Sequence, residues 1–133
     1  MRFTNTKNAS AAHGVKILCT GMAGSGKTYA IRTCNEPALI ISAESGLLSL
    51  ADVSVDAVTV DSFDDVDKVY DYLASSEESQ KYKWVCIDSL SEVAEALLVS
   101  ELARNKDGRK AYMEVSSRTQ AMVRKFRDLP RNI

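Results

Sequence analysis

Long apolar runs are missing from this chain. None approaches the roughly 20 residues of a membrane-spanning helix, so no membrane partner is expected. The opening stretch, Met1 to Gly14, lacks the apolar centre of a signal peptide and reads as a polar tail ahead of a domain over residues 15–133. Cysteine is scarce: Cys19, Cys34 and Cys86 have no metal-ligand spacing. Two of them fall in apolar runs that read as buried strands, where Cys acts as a small hydrophobe. A reduced, cytosolic setting is the expectation. There is no internal repeat and no low-complexity tract. What remains is ordinary for a globular domain with a real core: 133 residues, 45% hydrophobic and 26% charged.

Net charge is also nearly absent, at −1, but its distribution is uneven. Residues 1–103 carry 8 basic and 15 acidic side chains, whereas residues 104–133 carry 9 basic and 3 acidic ones. The basic set is Arg104, Lys106, Arg109, Lys110, Arg118, Arg124, Lys125, Arg127 and Arg131. Such a cluster suits a nucleic-acid or acidic-partner surface, and equally a solvated helix face.

The most specific feature is Gly21-Met22-Ala23-Gly24-Ser25-Gly26-Lys27-Thr28, a complete phosphate-binding P-loop. Its glycines let the backbone approach a ligand closely. Loop N–H groups surround the phosphates, Lys27 reaches the β- and γ-phosphates, and the Thr28 hydroxyl can ligate Mg²⁺. Tyr29 joins these residues in the expected nucleotide site. A glycine-rich turn that binds nothing is the alternative, and the flanks argue against it. Val15 to Cys19 reads as a buried strand and residues 27–35 as a helix stopped by Pro37, the strand–loop–helix order that the motif requires.

Further apolar runs follow. Ala38 to Ala43 ends at Glu44, Ala57 to Val60 forms another strand, and Trp84 to Ile87 ends at Asp88. Helices are expected from Ser62, from Ser89 with Glu92 at capping-box spacing, and from about Arg109 to Asp128. Leu90, Val93, Ala94, Leu97, Leu98 and Leu102 supply the apolar face of the second. Val115, Met122, Val123, Phe126 and Leu129 are the expected core of the third. Continuous apolar strands alternating with amphipathic helices imply an α/β fold, a mostly parallel sheet with helices on both faces. Ligands in such sheets bind at the carboxyl ends of the strands, where the P-loop, Glu44 and Asp88 all fall. Asp88, after an apolar strand, looks like a Walker B aspartate that holds Mg²⁺ beside Thr28; it could also simply end a strand. Ser89 follows it, so the usual place for a water-activating Glu is empty. Glu44 can fill that role from the neighbouring strand, or be a surface carboxylate.

Together, Gly21 to Thr28, Ile41 to Glu44 and Val85 to Leu90 resemble the RecA-like ATPases. More narrowly, Glu44-Ser45-Gly46-Leu47, Ile87 to Leu90 and Asp107 to Tyr112 are similar to the phage AAA-type ATP-binding proteins, a group that includes recombinases working with single-strand annealing. The resemblance spans roughly residues 15–133. It implies an ATP-binding, Mg²⁺-dependent ATPase in phage-type DNA recombination, in the cytoplasm of a bacterial host. Lys27 and Thr28 would handle phosphates and metal, Asp88 support the metal, and Glu44 activate water. A homo-oligomeric ring or filament is implied, with single-stranded DNA at the basic 104–131 region and an annealing or single-strand-binding partner. Ser42 stands where RecA has Asp. The group continues past Leu129-Pro130 into another core strand, a γ-phosphate sensor and DNA loops. The expectation here is a C-terminally incomplete RecA-like domain, with an open apolar edge beside the P-loop strand. A non-catalytic nucleotide-binding module and a small-molecule P-loop kinase are the alternatives. A GTPase is disfavoured, because Asn105-Lys106-Asp107-Gly108 misses the guanine-reading spacing.

Overall fold

Two uninterrupted apolar runs make the centre of the sheet. The computed structural model describes residues 14–44, 46–105 and 107–133, and in it β1 (Ala38–Ser42) is buried at all five positions. Full burial of a strand requires cover on both faces, and its composition allows it. β3 (Trp84–Asp88) lies parallel to β1, in register from Ala38 beside Trp84 to Ser42 beside Asp88. β2 (Asp56–Thr59) pairs parallel with the other side of β1, giving the order β2-β1-β3. It is mostly exposed, as an outer strand can be. The polar tail expected over residues 1–14 lies outside the described residues, apart from Gly14; so do Ser45 and Lys106.

Parallel neighbours need crossovers, and helices supply them. α1 (Phe63–Ser75) starts where Ser62 accepts a hydrogen bond from the Asp65 N–H. Lys68 and then the Ser62 hydroxyl hold the Asp65 carboxyl down to about 2. Phe63, Val66, Val69 and Leu73, at helical spacing, are its buried stripe; each contributes about 1.5–3 kcal/mol gross when fully buried. α2 (Leu90–Arg104) is capped by Ser89, which accepts from the Glu92 N–H. α3 (Gly108–Arg127) is capped by Asp107, which accepts from the Arg109 N–H. Side chains alternate across a strand. Leu39, Ile41 and Val85 therefore share one cluster with the buried residues of all three helices, including Val93, Leu97, Met122 and Phe126. Tyr70 meets Phe126 edge-on, centroids 5.4 Å apart.

The helix cores are narrower than the sequence suggests. Leu102 and Val123 face solvent, as do Val99, Tyr112 and Met113. α2 carries apolar residues around most of its circumference, and its neighbours cover one side, at Val93 and Leu97. Polar groups do the rest of the joining. Glu101, 5% exposed, accepts from Arg118 at 2.9 Å and from Asn105 at 3.1 Å. Arg118 also stacks on Phe63, which ties α2, α3 and α1 together.

The expected buried strand at Val15 to Cys19 is instead an exposed segment, with Leu18 at 77%. It is held from one side only. Ile133 donates to the Val15 carbonyl at 2.9 Å, and the Ile17 N–H donates to the Ile133 carbonyl at 2.7 Å. Asn132 bridges in parallel to Trp84, bonding the Lys83 carbonyl and the Val85 N–H. Residues 131–133 therefore lie between β3 and residues 15–17. The gap expected beside the P-loop strand is filled there, and the open apolar edge is formed by Val15, Ile17 and Leu18 themselves. Two cations fasten this segment. The Lys16 ammonium donates to the Leu129 and Arg131 carbonyls. The buried Arg131 guanidinium donates to the Leu73 carbonyl at 2.6 Å and to the carbonyl and hydroxyl of Ser79 at 2.9 and 3.0 Å.

Candidate functional site

The loop from Gly21 to Gly26 stands exposed beyond the sheet. Ser25 donates to the Met22 carbonyl at 3.2 Å and Ala30 to the Gly26 carbonyl at 2.9 Å, which turns the chain into a short 3₁₀ helix, Thr28–Thr33. The helix expected over residues 27–35 is thus present but shorter and tighter. Gly26 has φ +87°, a backbone that L side chains rarely adopt. At Gly21 a Cβ would sit 2.6 Å from the Ser25 hydroxyl, which would have to turn away to admit it. The N–H groups of Gly24, Gly26 and Lys27 make no hydrogen bond to another described residue. Unpaired N–H groups on an exposed glycine-rich turn form an anion-binding concavity.

Lys27 bends back over its own loop. Its ammonium donates to the carbonyls of Gly21 and Met22, both at 3.0 Å. These are exposed partners that a phosphate can replace.

Thr28 and Asp88 are 60 residues apart in sequence and meet directly: the Thr28 hydroxyl donates to the Asp88 carboxylate at 2.7 Å. Packing explains the meeting. Asp88 ends β3, and the P-loop segment reaches β3 through residues 131–133. Both groups are oxygen donors, the type that Mg²⁺ selects, so the pair fits the metal. The peptide between Asp88 and Ser89 is cis.

Glu44 lies one strand over. The register sets Ser42 beside Asp88, Ala43 donates to the Asp88 carbonyl at 2.8 Å, and the Ser42 hydroxyl donates to the Glu44 carbonyl at 2.6 Å. Strand packing thus brings Glu44 to the same sheet edge. Its carboxylate is exposed and has no hydrogen bond or ion pair among the described residues.

Beneath the site, Cys86 takes the position two residues before Asp88. Burial, reinforced by the neighbouring Cys34, pushes its thiol up to about 12, and burial raises Cys34 as well. Cys86 therefore stays protonated and packs as a hydrophobe. Cys19, expected in a buried strand, is exposed. Among the described residues no cluster of three His, Cys, Asp or Glu side chains suits a metal ion.

The basic region is partly consumed by the fold. Arg118 bonds Glu101, Lys125 pairs with Asp67 at 2.9 Å, Arg127 pairs with Asp128 at 2.8 Å, and Arg131 is buried. Arg104 lies 3.8 Å from Glu101. Arg109, Lys110 and Arg124 have no such partner among the described residues. Two clefts of about 440 Å³ lie away from the loop, one beside β2 at Val58, Tyr72 and Tyr82, the other at Ile31, Cys34 and Val53.

Reasoning from sequence missed Arg32 and Asp52. Arg32 bonds Asp52 at 2.5 Å and lies over the Tyr29 ring, and no motif spacing announces a pair 20 residues apart.

A family model described as an AAA domain matches residues 13–133. No curated protein and no solved structure matches the chain. The α/β architecture, a parallel sheet flanked by helices, is that of P-loop NTPases. Among the described residues no helix is long and apolar enough to cross a membrane.

Proposed function

Because the chain belongs to the AAA domain family, for which ATP binding and ATPase activity are the general expectation, we propose that it binds Mg²⁺-ATP on the 21–29 loop and hydrolyses it in phage-type DNA recombination or single-strand annealing. The observation that carries this reading is the 2.7 Å contact between Thr28 and Asp88, which joins the P-loop to the acidic end of β3. Loop N–H groups hold the phosphate chain. Lys27 leaves its two carbonyls for the β- and γ-phosphate oxygens. Thr28 and Asp88 would hold the metal, which would supply charge neutralisation at the phosphate oxygens. Glu44, at the adjacent strand end, orients and deprotonates the attacking water; the γ-phosphorus–oxygen bond to ADP breaks as the new bond to water oxygen forms.

The regulatory setting follows from the resemblance. Subunits would assemble as a ring or filament in the bacterial cytoplasm, alongside an annealing or single-strand-binding protein. Among the described residues, Arg109, Lys110 and Arg124 carry no ion pair and would be available to meet single-stranded DNA. A second reading is a module that binds nucleotide without turning it over, which the exposed Glu44 carboxylate, without a hydrogen bond or ion pair among the described residues to hold it in place, leaves open.

ATP turnover by the purified chain, with and without single-stranded DNA, decides between them. The ATPase reading expects turnover that rises with DNA and is lost in Lys27→Ala and Glu44→Gln. ATP binding with no turnover would leave the binding module standing and end the ATPase reading for this chain alone.

A further inference from the structure

We propose that Tyr29 is the shelf on which the purine ring of the bound nucleotide stacks, and that Arg32 and Asp52 hold that shelf in place. The inference rests on nucleotide binding at the P-loop and adds what reads the base. Tyr29 directly follows Thr28, so a nucleotide whose phosphates lie on the loop has its base within reach of this ring. Tyr29 is 55% exposed, so its ring is open to a ligand.

One face of the ring is spoken for. The Arg32 guanidinium carbon sits 4.7 Å from its centroid, within cation–π range. Arg32 is itself anchored at 2.5 Å to Asp52, just after the 3₁₀ helix Leu47–Leu50, which packs against Thr28–Thr33. These contacts set the guanidinium over one face of the phenol. No other aromatic ring or cation among the described residues stacks on it, which leaves a flat, oriented π surface beside the phosphate site. Leu48, on the packed helix, is 86% exposed and gives this flank a second apolar side chain. Stacking needs a flat face and not a hydrogen-bond code, and a purine offers the larger face. Phosphate capture alone would need no aromatic here.

The test is calorimetric titration of the full chain with Mg²⁺-ATP and, separately, with Mg²⁺-tripolyphosphate, which has the phosphates but no base. Wild type, Tyr29→Phe and Tyr29→Ala are compared, with circular dichroism melts to show that all three are folded. Tyr29→Ala should weaken ATP binding about tenfold, whereas Tyr29→Phe, which keeps the ring, should stay within about twofold of wild type. Tripolyphosphate should bind all three alike. Unchanged ATP affinity in Tyr29→Ala would overturn the proposal, as would equal losses for ATP and tripolyphosphate. Wild-type protein that binds neither ligand would overturn the P-loop reading, and the shelf with it.

Discussion

Lys27 and Arg131 are both cations that donate to backbone carbonyls, and they do opposite things. Lys27 sits on an open loop, 3.0 Å from two carbonyls that water can serve equally well. Arg131 is 6% exposed and serves the carbonyls of Leu73 and Ser79, which have lost their water. A bond whose acceptors can be rehydrated is cheap to exchange; one whose donor is a buried cation is not, because breaking it leaves a charged group without water or partners. The loop face of the molecule is therefore built to trade partners, and the helical face to keep them. Glu101 belongs with Arg131 in this respect, and Glu44 with Lys27.

The largest expected effect comes from breaking the fixed side. Arg131→Leu removes three charge-assisted hydrogen bonds at once, leaving the Ser79 carbonyl only the Tyr82 N–H and the Leu73 carbonyl only the Ser79 hydroxyl, and should cost about 3 kcal/mol of stability in urea unfolding. A loss below about 0.5 kcal/mol, the size of an ordinary surface change, would mean that the two cations do not differ in this way. Lys27→Ala should show the converse: ATP affinity falls about 100-fold, close to 2.7 kcal/mol, while the urea midpoint stays at the wild-type value. A shifted midpoint would make Lys27 structural as well. The mildest probe is alkylation of the native protein by iodoacetamide at pH 8, followed by peptide mass mapping. Cys19, exposed, should react first and Cys34 later. Cys86, whose thiol is pushed up to about 12, should stay unmodified until the protein unfolds. Native labelling of Cys86 would show that the floor under the site opens.

The sequence revealed the chemistry of the loop face better than its depth. β1 and β3 were legible because a strand covered on both sides must be apolar throughout. Val15 to Cys19 has the same composition, yet it lies at an edge, and a run of apolar residues says nothing about which strand is outermost. The caps at Ser62 and Ser89 were legible from spacing, and Asp107 was not singled out. Thr28 and Asp88 meet across 60 residues, and their closeness is legible because a P-loop and an acidic strand end share the carboxyl edge of a parallel sheet. Charge counting failed where position decides the outcome: Arg131 was added to a basic surface although it is interior, and Arg118 is half spent on Glu101. Leu102 and Val123 fit a helical stripe but face solvent, because the width of a stripe is set by what packs against it.

The bridge through residues 131–133 has a consequence for the order of events in folding. Val15 and Asn132 are 117 residues apart, and the P-loop segment enters the sheet through them. β1, β2 and α1 can pair and dock using contacts that are close in sequence. The loop segment must wait for a long-range closure, which is entropically costly and slow. During synthesis the P-loop emerges early, yet residues 131–133 must clear the ribosome before residues 15–17 have a neighbour. The segment that leads into the P-loop is therefore tied to the sheet by contacts of long sequence separation, unlike β1, β2 and α1.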